Sequence, residues 1–164
     1  MSAAKERSFD PYSGQVSEAD MQLFDEHLRS FVPPESFDAH AHFYVNSLTG
    51  GTPAMLGATG FDLDSYQRCL MSWMGDRCPT GGLFIGMPHR DTQVSATNQF
   101  IEGEMQSDPR SRGMLLVTPN CDPVDVAVQL DKAVWAGIKV YHCYAPREGT
   151  FSAPIEEFVA DWMW

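Results

Sequence analysis

The stretch SFDAHAHFYV, residues 36–45, places two histidines one residue apart within a short apolar run. Extended backbone points successive side chains to opposite faces, so a strand here puts His40 and His42 on one face, with Asp38 beside them. Neutral imidazole is a good ligand for zinc and similar ions, and two imidazoles on one face can reach a single ion. The alternative is two unrelated histidines that are exposed or hydrogen-bonded within the protein.

Apolar runs alternate with segments of helical periodicity after this strand. Further strands are predicted at LFIGMP (83–88), GMLLVTP (113–119) and IKVYHCY (138–144). Apolar residues at helical spacing predict helices over 63–74, 94–106 and 126–134, the last one stopping at Gly137, and one more helix from Ile155 onward. Apolar rather than alternating strands are typical of a parallel sheet covered on both faces. The order of elements predicts an α/β fold of about four βα units.

The N-terminal part is predicted to stand apart from these units. Residues 1–34 form a polar arm followed by one helix, which starts at the capping residue Ser17 and is ended by two prolines. Residues 35–164 form the βα domain. Within this domain, residues 46–62 are rich in Gly, Thr and Pro and are predicted to be a long loop.

Composition limits the classes of partner. The chain has 164 residues and a formal net charge of −11, which argues against a nucleic-acid or anionic-membrane partner, since both favour a basic face. The four cysteines form no CxxC pair, and the N-terminus has no apolar segment of signal-peptide length. We therefore expect a cytoplasmic protein that acts on a small molecule, with a homo-oligomer left open.

Three segments resemble a known group of enzymes. FDAHAHF (37–43) looks like the metal-binding HxH motif that ends the first strand in the amidohydrolase superfamily, and the spread of elements resembles its amidohydrolase-related branch. AGIKVYHCYAP (136–146) is similar to a fourth strand that carries a lysine, and SAPIEEFVADWMW (152–164) looks like the helix that leads into a fifth strand. The resemblance covers roughly residues 34–164, and only the HxH motif is specific.

The resemblance implies a (β/α)8 barrel and a metal-dependent hydrolase. A divalent ion, with zinc favoured, would be held by His40 and His42, and activated water would attack a C–N or C–O bond. Decarboxylation or hydration of an acidic substrate in the same fold is an alternative, and so is a non-catalytic half-barrel that serves in assembly or binding.

Further candidate residues follow from the predicted strand ends, where parallel barrels carry their chemistry. Lys139 would either carry a metal-bridging carbamate, pair with a carboxylate, or lie at an exposed strand end. His89 and Arg90 follow the second βα strand, and Arg147 follows the fourth; each would contact substrate or form a local salt bridge. His142 is expected to be an ordinary packed or surface histidine.

This sequence also departs from the superfamily pattern. That pattern needs histidines on the fifth and sixth strands and a catalytic aspartate on the eighth, whereas only four strands are predicted here. The catalytic aspartate is therefore expected beyond residue 164, and the chain is expected to be the N-terminal half of a barrel. A genuine end at Trp164, with DWMW packed against the protein, is the competing explanation.

Overall fold

The residues that the structure describes form an open α/β sheet with helices on one face. The computed structural model describes residues 16–50 and 59–164. Its strands, in chain order, are β1 (Phe37–Val45), β2 (Gly60–Phe61), β3 (Gly81–Gly86), β4 (Arg112–Leu116) and β5 (Trp135–Lys139). Their order in the sheet is β2-β1-β3-β4-β5. β2 is antiparallel to β1, and the other neighbours are parallel, so the predicted α/β class is confirmed.

The helices are α1 (Glu18–Leu23), α2 (Leu63–Met74), α3 (Val94–Gln106) and α4 (Pro123–Leu130). Helices α2, α3 and α4 connect the parallel strands, α1 precedes β1, and side-chain caps begin α2 and α4. The carboxylate of Asp62 accepts the Ser65 N–H at 2.9 Å at the start of α2, and Asp122 accepts the Val124 N–H at 2.8 Å at the start of α4. In the described part of the chain, no helix has the length and apolar character needed to cross a membrane.

The hydrophobic core lies between the sheet and helices α2, α3 and α4. Phe43 and Phe84 are fully buried and stack with their ring centroids 4.2 Å apart. Tyr66 of α2 meets the Phe84 ring edge-on, with centroids 5.0 Å apart. The remaining members come from the strands and from α2, α3 and α4; they are Leu63, Ile101, Met105, Leu115, Val117, Val126 and Trp135. Because this core covers one face of the sheet, a functional site on the strands would lie on the opposite face.

Beyond the paired part of β3 and β4, a side chain replaces the strand partner. The last pair in this ladder is Ile85 with Met114. Two residues later, the Leu116 N–H donates to Asn98 Oδ1 at 3.0 Å, and Asn98 Nδ2 donates to the Leu116 carbonyl at 2.8 Å. The carboxamide of α3 therefore satisfies both backbone groups of a residue in β4 that β3 does not reach.

Several predicted elements are wrong or displaced. α4 ends at Leu130, and Gly137 lies inside β5 rather than at a helix end. The last strand runs over Trp135–Lys139, not 138–144, and His142 lies in a short 3-10 turn. No α-helix forms from Ile155 onward; the described residues there make 3-10 turns at Ile155–Glu157 and Asp161–Met163.

Other predictions concern segments at the limits of the described residues. The predicted arm lies outside them except for Val16, and so do residues 51–58 of the predicted loop. The remaining part of that loop contributes β2, which the sequence analysis missed. Near the C-terminus, Trp162 and Met163 pack against the core, and Trp162 Nε1 donates to the Pro119 carbonyl at 3.3 Å.

Candidate metal centre

An irregularity in β1 decides which way its side chains point. Asp38 is opposite Gly82 in β3, but Ala41 is opposite Phe84, so β1 contains one more residue than β3 between these pairs. This is a β-bulge. It places Asp38 toward α2, where its carboxylate accepts the Tyr66 hydroxyl at 2.7 Å. The prediction that Asp38 shares a face with the histidines is therefore wrong, because simple alternation does not hold across the bulge.

His40 and His42 themselves share the face that points away from the helices, as predicted. Their Nε2 atoms are 3.1 Å apart and their ring centroids 5.0 Å apart. With zinc–nitrogen bonds of about 2.0–2.1 Å, that separation corresponds to an angle of about 100° at a shared ion, close to the tetrahedral value. The two Nε2 atoms therefore lie at a separation that suits two ligands of one ion and that also suits an N–H···N hydrogen bond between the rings.

The surroundings of His42 determine which of its nitrogens is available. His42 Nδ1 lies 3.3 Å from the Gly86 carbonyl, which is a pure acceptor, so Nδ1 carries the proton and Nε2 presents its lone pair. Burial lowers the pKa of His42, and the nearby His40 and Lys139 charges lower it further, although the Gly86 carbonyl acts in the opposite direction. His42 is thus a neutral ring whose Nε2 is unprotonated, the state that a metal ligand requires.

Tyr141 completes this group, and the sequence analysis did not single it out. Its hydroxyl lies 3.2 Å from His42 Nε2 and donates to it, since that nitrogen is the acceptor. Tyr141 follows β5 by two residues, and strands β3 and β4 lie between β5 and β1. Its position two residues after a predicted inward lysine is the signal that could have identified it, because residues two apart share a face of extended chain.

Lys139 lies on the same face as the histidines, at the end of β5. Its Nζ is 5.5 Å from the centroid of the Tyr141 ring, within the range of a cation–π contact. Among the described residues, its ammonium has no carboxylate within ion-pair distance, in contrast to the expected alternative of a carboxylate pair. Lys139 is opposite Leu116 in β4, whose side chain is fully buried.

The two candidate arginines are held by contacts of their own. Arg90 Nη2 donates to the Ala145 carbonyl at 3.3 Å and also to the Arg147 carbonyl, so it joins the loop after β3 to the segment after β5. Arg147 pairs with Glu157, with 3.2 Å between Nη1 and Oε1. The Arg147–Glu157 pair is the salt bridge that the sequence left open as an alternative, whereas Arg90 bonds to backbone carbonyls; the substrate-binding role of both stays a prediction.

The two other histidines near these segments also have local partners. His89 Nδ1 accepts the Asp91 N–H at 3.2 Å and lies 3.7 Å from the Asp91 carboxylate. His142 Nδ1 lies 2.9 Å from the Thr150 hydroxyl, and its ring is 4.4 Å from the ring of Phe151. His142 is thus the packed histidine that was expected.

The site brings together two histidines, which are candidate ligands for a metal ion. Catalytic zinc takes three protein ligands and an open position. Over residues 16–50 and 59–164, no group of three or more His, Cys, Asp or Glu side chains is placed to hold an ion. Among the described residues, the histidine pair is therefore short of the three protein ligands of a catalytic zinc site.

Comparisons with protein-family models, with curated proteins and with solved structures gave no match.

Proposed function

We propose that this chain is part of a metal-dependent hydrolase of the amidohydrolase-related type, in which His40 and His42 hold a divalent ion, with zinc favoured. The observation that carries the proposal is the 3.1 Å separation of the two Nε2 atoms, together with the Gly86 carbonyl that fixes the proton of His42 on Nδ1. A hydrogen-bonded carbonyl on the second ring nitrogen is the usual support of a metal-binding histidine.

The strand order supports the barrel part of the proposal. β1, β3, β4 and β5 are parallel and lie side by side in chain order, as consecutive strands do in a (β/α)8 barrel. Three steps between strands separate β1 from β5 by about 14 Å in a flat sheet. The 3.2 Å contact between His42 and Tyr141 spans those steps, which favours a sheet that curves toward the histidine face.

The position of the site along the strands is also that of a barrel enzyme. His42 is opposite Ile85, next to the last residue of β3, and Lys139 is the last residue of β5. Both therefore lie at the carboxyl ends of the parallel strands, where barrels of this type place their active sites.

Each residue has a definite role in the proposed chemistry. When bound, a divalent ion supplies a Lewis acid that polarises a carbonyl and makes a water molecule more acidic. His40 and His42 bind the ion through Nε2, and the Gly86 carbonyl keeps the proton of His42 on Nδ1. The Tyr141 hydroxyl, 3.2 Å from His42 Nε2, would be available beside a held ion as a donor for an oxygen of the substrate.

Decarboxylation or hydration of an acidic substrate is the second candidate, and Lys139 favours it. Its ammonium faces the site without a carboxylate partner in the described part of the chain, and an anionic substrate would supply one. The carbamate prediction for Lys139 remains a competing proposal. Mass spectrometry of the native protein in bicarbonate would distinguish them, because a carbamate adds 44 Da, roughly the mass of CO2, and a free ammonium adds nothing.

Metal binding and activity test the proposal directly. Titration with zinc or cobalt should give binding to the wild-type chain that the double variant His40→Ala/His42→Ala lacks. His27→Ala is the matched control, since His27 is an exposed histidine whose recorded partner is its neighbour Glu26. Amide, ester and lactone substrates would then be tested for hydrolysis, and acidic substrates for CO2 release.

The outcomes separate the candidates. Hydrolysis that requires the histidines supports the first proposal, and CO2 release supports the second. Metal binding that persists in the double variant refutes the ligand assignment. Metal binding by this chain without turnover is expected both of a hydrolase whose catalytic aspartate lies beyond residue 164 and of the non-catalytic half-barrel, and activity of the longer reading frame would separate these two.

A further inference from the structure

The bulge in β1 is a requirement of the site and not a detail of the sheet. Ala39 and His40 together face the single residue Leu83 of β3. After the bulge, Phe43 points into the core, where it is fully buried. Without it, a strand that kept Asp38 on the helix side would also turn His40 and His42 into the core and Phe43 out of it. The register of this one residue therefore decides whether the histidines can form a site at all.

The carboxylate of Asp38 holds the bulge from within the strand. Its Oδ1 accepts the N–H of His40 at 3.0 Å, two residues along the chain. A short acidic side chain that bonds to the backbone two residues on is a typical local support for irregular chain. This bond gives a partner to an N–H of the bulge, where the ladder to β3 is interrupted.

The other oxygen of Asp38 connects the bulge to a rigid part of the protein. Oδ2 accepts the hydroxyl of Tyr66 at 2.7 Å. Tyr66 is only 6% exposed, and its ring packs edge-on against Phe43 and Phe84. Two hydrogen bonds, both accepted by Asp38, therefore connect Tyr66 of α2 to the backbone N–H of His40.

We infer that Tyr66 and Asp38 are positioning residues that set the register of β1 and thereby aim His40 and His42 at a common metal ion. Neither residue is one of the proposed metal ligands. They act through the backbone of His40, and the inference rests on the proposed function of the histidine pair. The sequence places Tyr66 on a helix 24 residues after His42, so its part in the site is visible only in three dimensions.

Tyr66→Phe tests the inference, because it removes the hydroxyl and keeps the packed ring. The affinity for zinc or cobalt should fall by about tenfold or more, as it does when the outer partners of a metal ligand are lost. In the metal-free protein, the nitrogen chemical shifts of the His42 ring should change from a single form protonated at Nδ1 to a mixture of both tautomers.

Two comparison variants separate positioning from general stability and from charge. Ile101→Val shortens a fully buried side chain of α3 and should lower the melting temperature without moving either readout. Asp38→Asn should keep both readouts close to wild type, since its oxygen can still accept the His40 N–H and its amide can donate to Tyr66. Asp38→Ala should lose as much affinity as Tyr66→Phe or more.

Each outcome decides the inference, whether or not a metal binds. Equal effects of Tyr66→Phe and Ile101→Val would reduce Tyr66 to a core residue, and equal losses in Asp38→Asn and Asp38→Ala would assign the effect to charge; either result overturns the inference. If the wild-type chain binds no metal, the proposed function fails. In that case the tautomer readout alone decides, and an unchanged His42 ring in Tyr66→Phe overturns the inference.

Discussion

His42 Nε2 is approached by two groups, the ring of His40 at 3.1 Å and the hydroxyl of Tyr141 at 3.2 Å. An ion that binds this nitrogen must displace the tyrosine hydroxyl from it. Under the proposed function, Tyr141 and a metal ion would compete for the same lone pair, whereas Tyr66 would act through Asp38 and the backbone of His40. Removing the hydroxyl of Tyr141 should therefore raise the affinity for zinc, whereas removing that of Tyr66 should lower it.

Tyr141→Phe should raise the affinity for zinc and lower turnover. The variant removes a hydrogen bond worth about 0.5–1.5 kcal/mol, so the affinity should rise by up to about tenfold. Turnover should fall, because the hydroxyl that would contact the substrate is lost. Calorimetric titration and steady-state kinetics measure the two effects, with Tyr66→Phe as the comparison. A lower zinc affinity in Tyr141→Phe would mean that Tyr141 binds the ion instead of competing with it.

Two glycines, Gly113 in β4 and Gly103 in α3, differ in the space around them. A methyl group on Gly113 would lie 2.6 Å from the Trp135 ring and 2.9 Å from Ile101 Cγ2. Such a distance requires the backbone or the indole to move, since both neighbours are buried in the core. Gly103, on α3, has nothing within 4 Å of the same position.

Alanine at these two glycines should therefore have opposite effects on stability. Gly113→Ala should lower the free energy of unfolding by about 1–3 kcal/mol through overpacking. Gly103→Ala should raise it by roughly 0.5–1 kcal/mol, because alanine favours a helix interior over glycine. Urea denaturation followed by circular dichroism measures both. Similar changes in the two variants would show that the gap around β4 is less tight than the distances imply.

The elements that could be predicted from sequence are those whose signal is local. The predicted bounds of β1, α2 and α3 agree with the structure almost to the residue. Their patterns involve residues close together in the chain, such as the helical spacing of Leu63, Tyr66 and Leu70 in α2. Gly137 was misleading, since a glycine after a helical segment usually ends the helix, whereas here it lies in β5 opposite Met114.

The rest depends on contacts between distant residues. The bulge in β1 cannot be inferred from FDAHAHFYV, because it is set by the register with β3 and by Tyr66 on α2. Tyr141 meets His42 only because the sheet brings the ends of β1 and β5 within reach. The segment after Ile155 has a helical apolar pattern, yet it forms 3-10 turns that place Trp162 on the core.

Over residues 16–50 and 59–164, burial raises the pKa values of five weakly acidic groups. It raises the pKa of Tyr141 to about 12, and it raises the pKa values of Tyr66 and Tyr144 above the ordinary value of 10.0. It also raises the pKa values of the Cys78 and Cys143 thiols above their ordinary value of 9.0. In each case the folded protein favours the protonated group more than the unfolded chain does.

The protein should therefore lose stability in alkali. Above about pH 9 the unfolded chain releases these protons first and binds fewer of them, so the free energy of unfolding falls as the pH rises. Melting temperatures measured in reducing buffer at about pH 8 and pH 10.5 should show the loss. Tyr66→Phe should make the dependence less steep. A flat profile across this range would contradict the raised pKa values.

The outer edge of β5 should govern association. Within the described residues, β5 pairs only with β4, and an uncovered strand edge can pair with another chain. The net charge of −11 opposes such pairing, and salt screens that repulsion. Size-exclusion chromatography should show larger species at about 500 mM than at about 50 mM NaCl. Ala136→Glu, at an exposed position of β5, should reduce them, and a salt-independent monomer would contradict the expectation.

The carboxamide of Asn98 has a consequence for the rates at which the sheet opens. Hydrogen–deuterium exchange of a strand amide normally reports the separation of two strands. The Leu116 amide is bonded to a side chain of α3, so its exchange should follow the movements of that helix. Although it lies in the sheet, Leu116 should exchange with the amides of α3 and not with those of β3. Asn98→Ala should make the Leu116 amide exchange faster while its neighbours in β4 keep their protection.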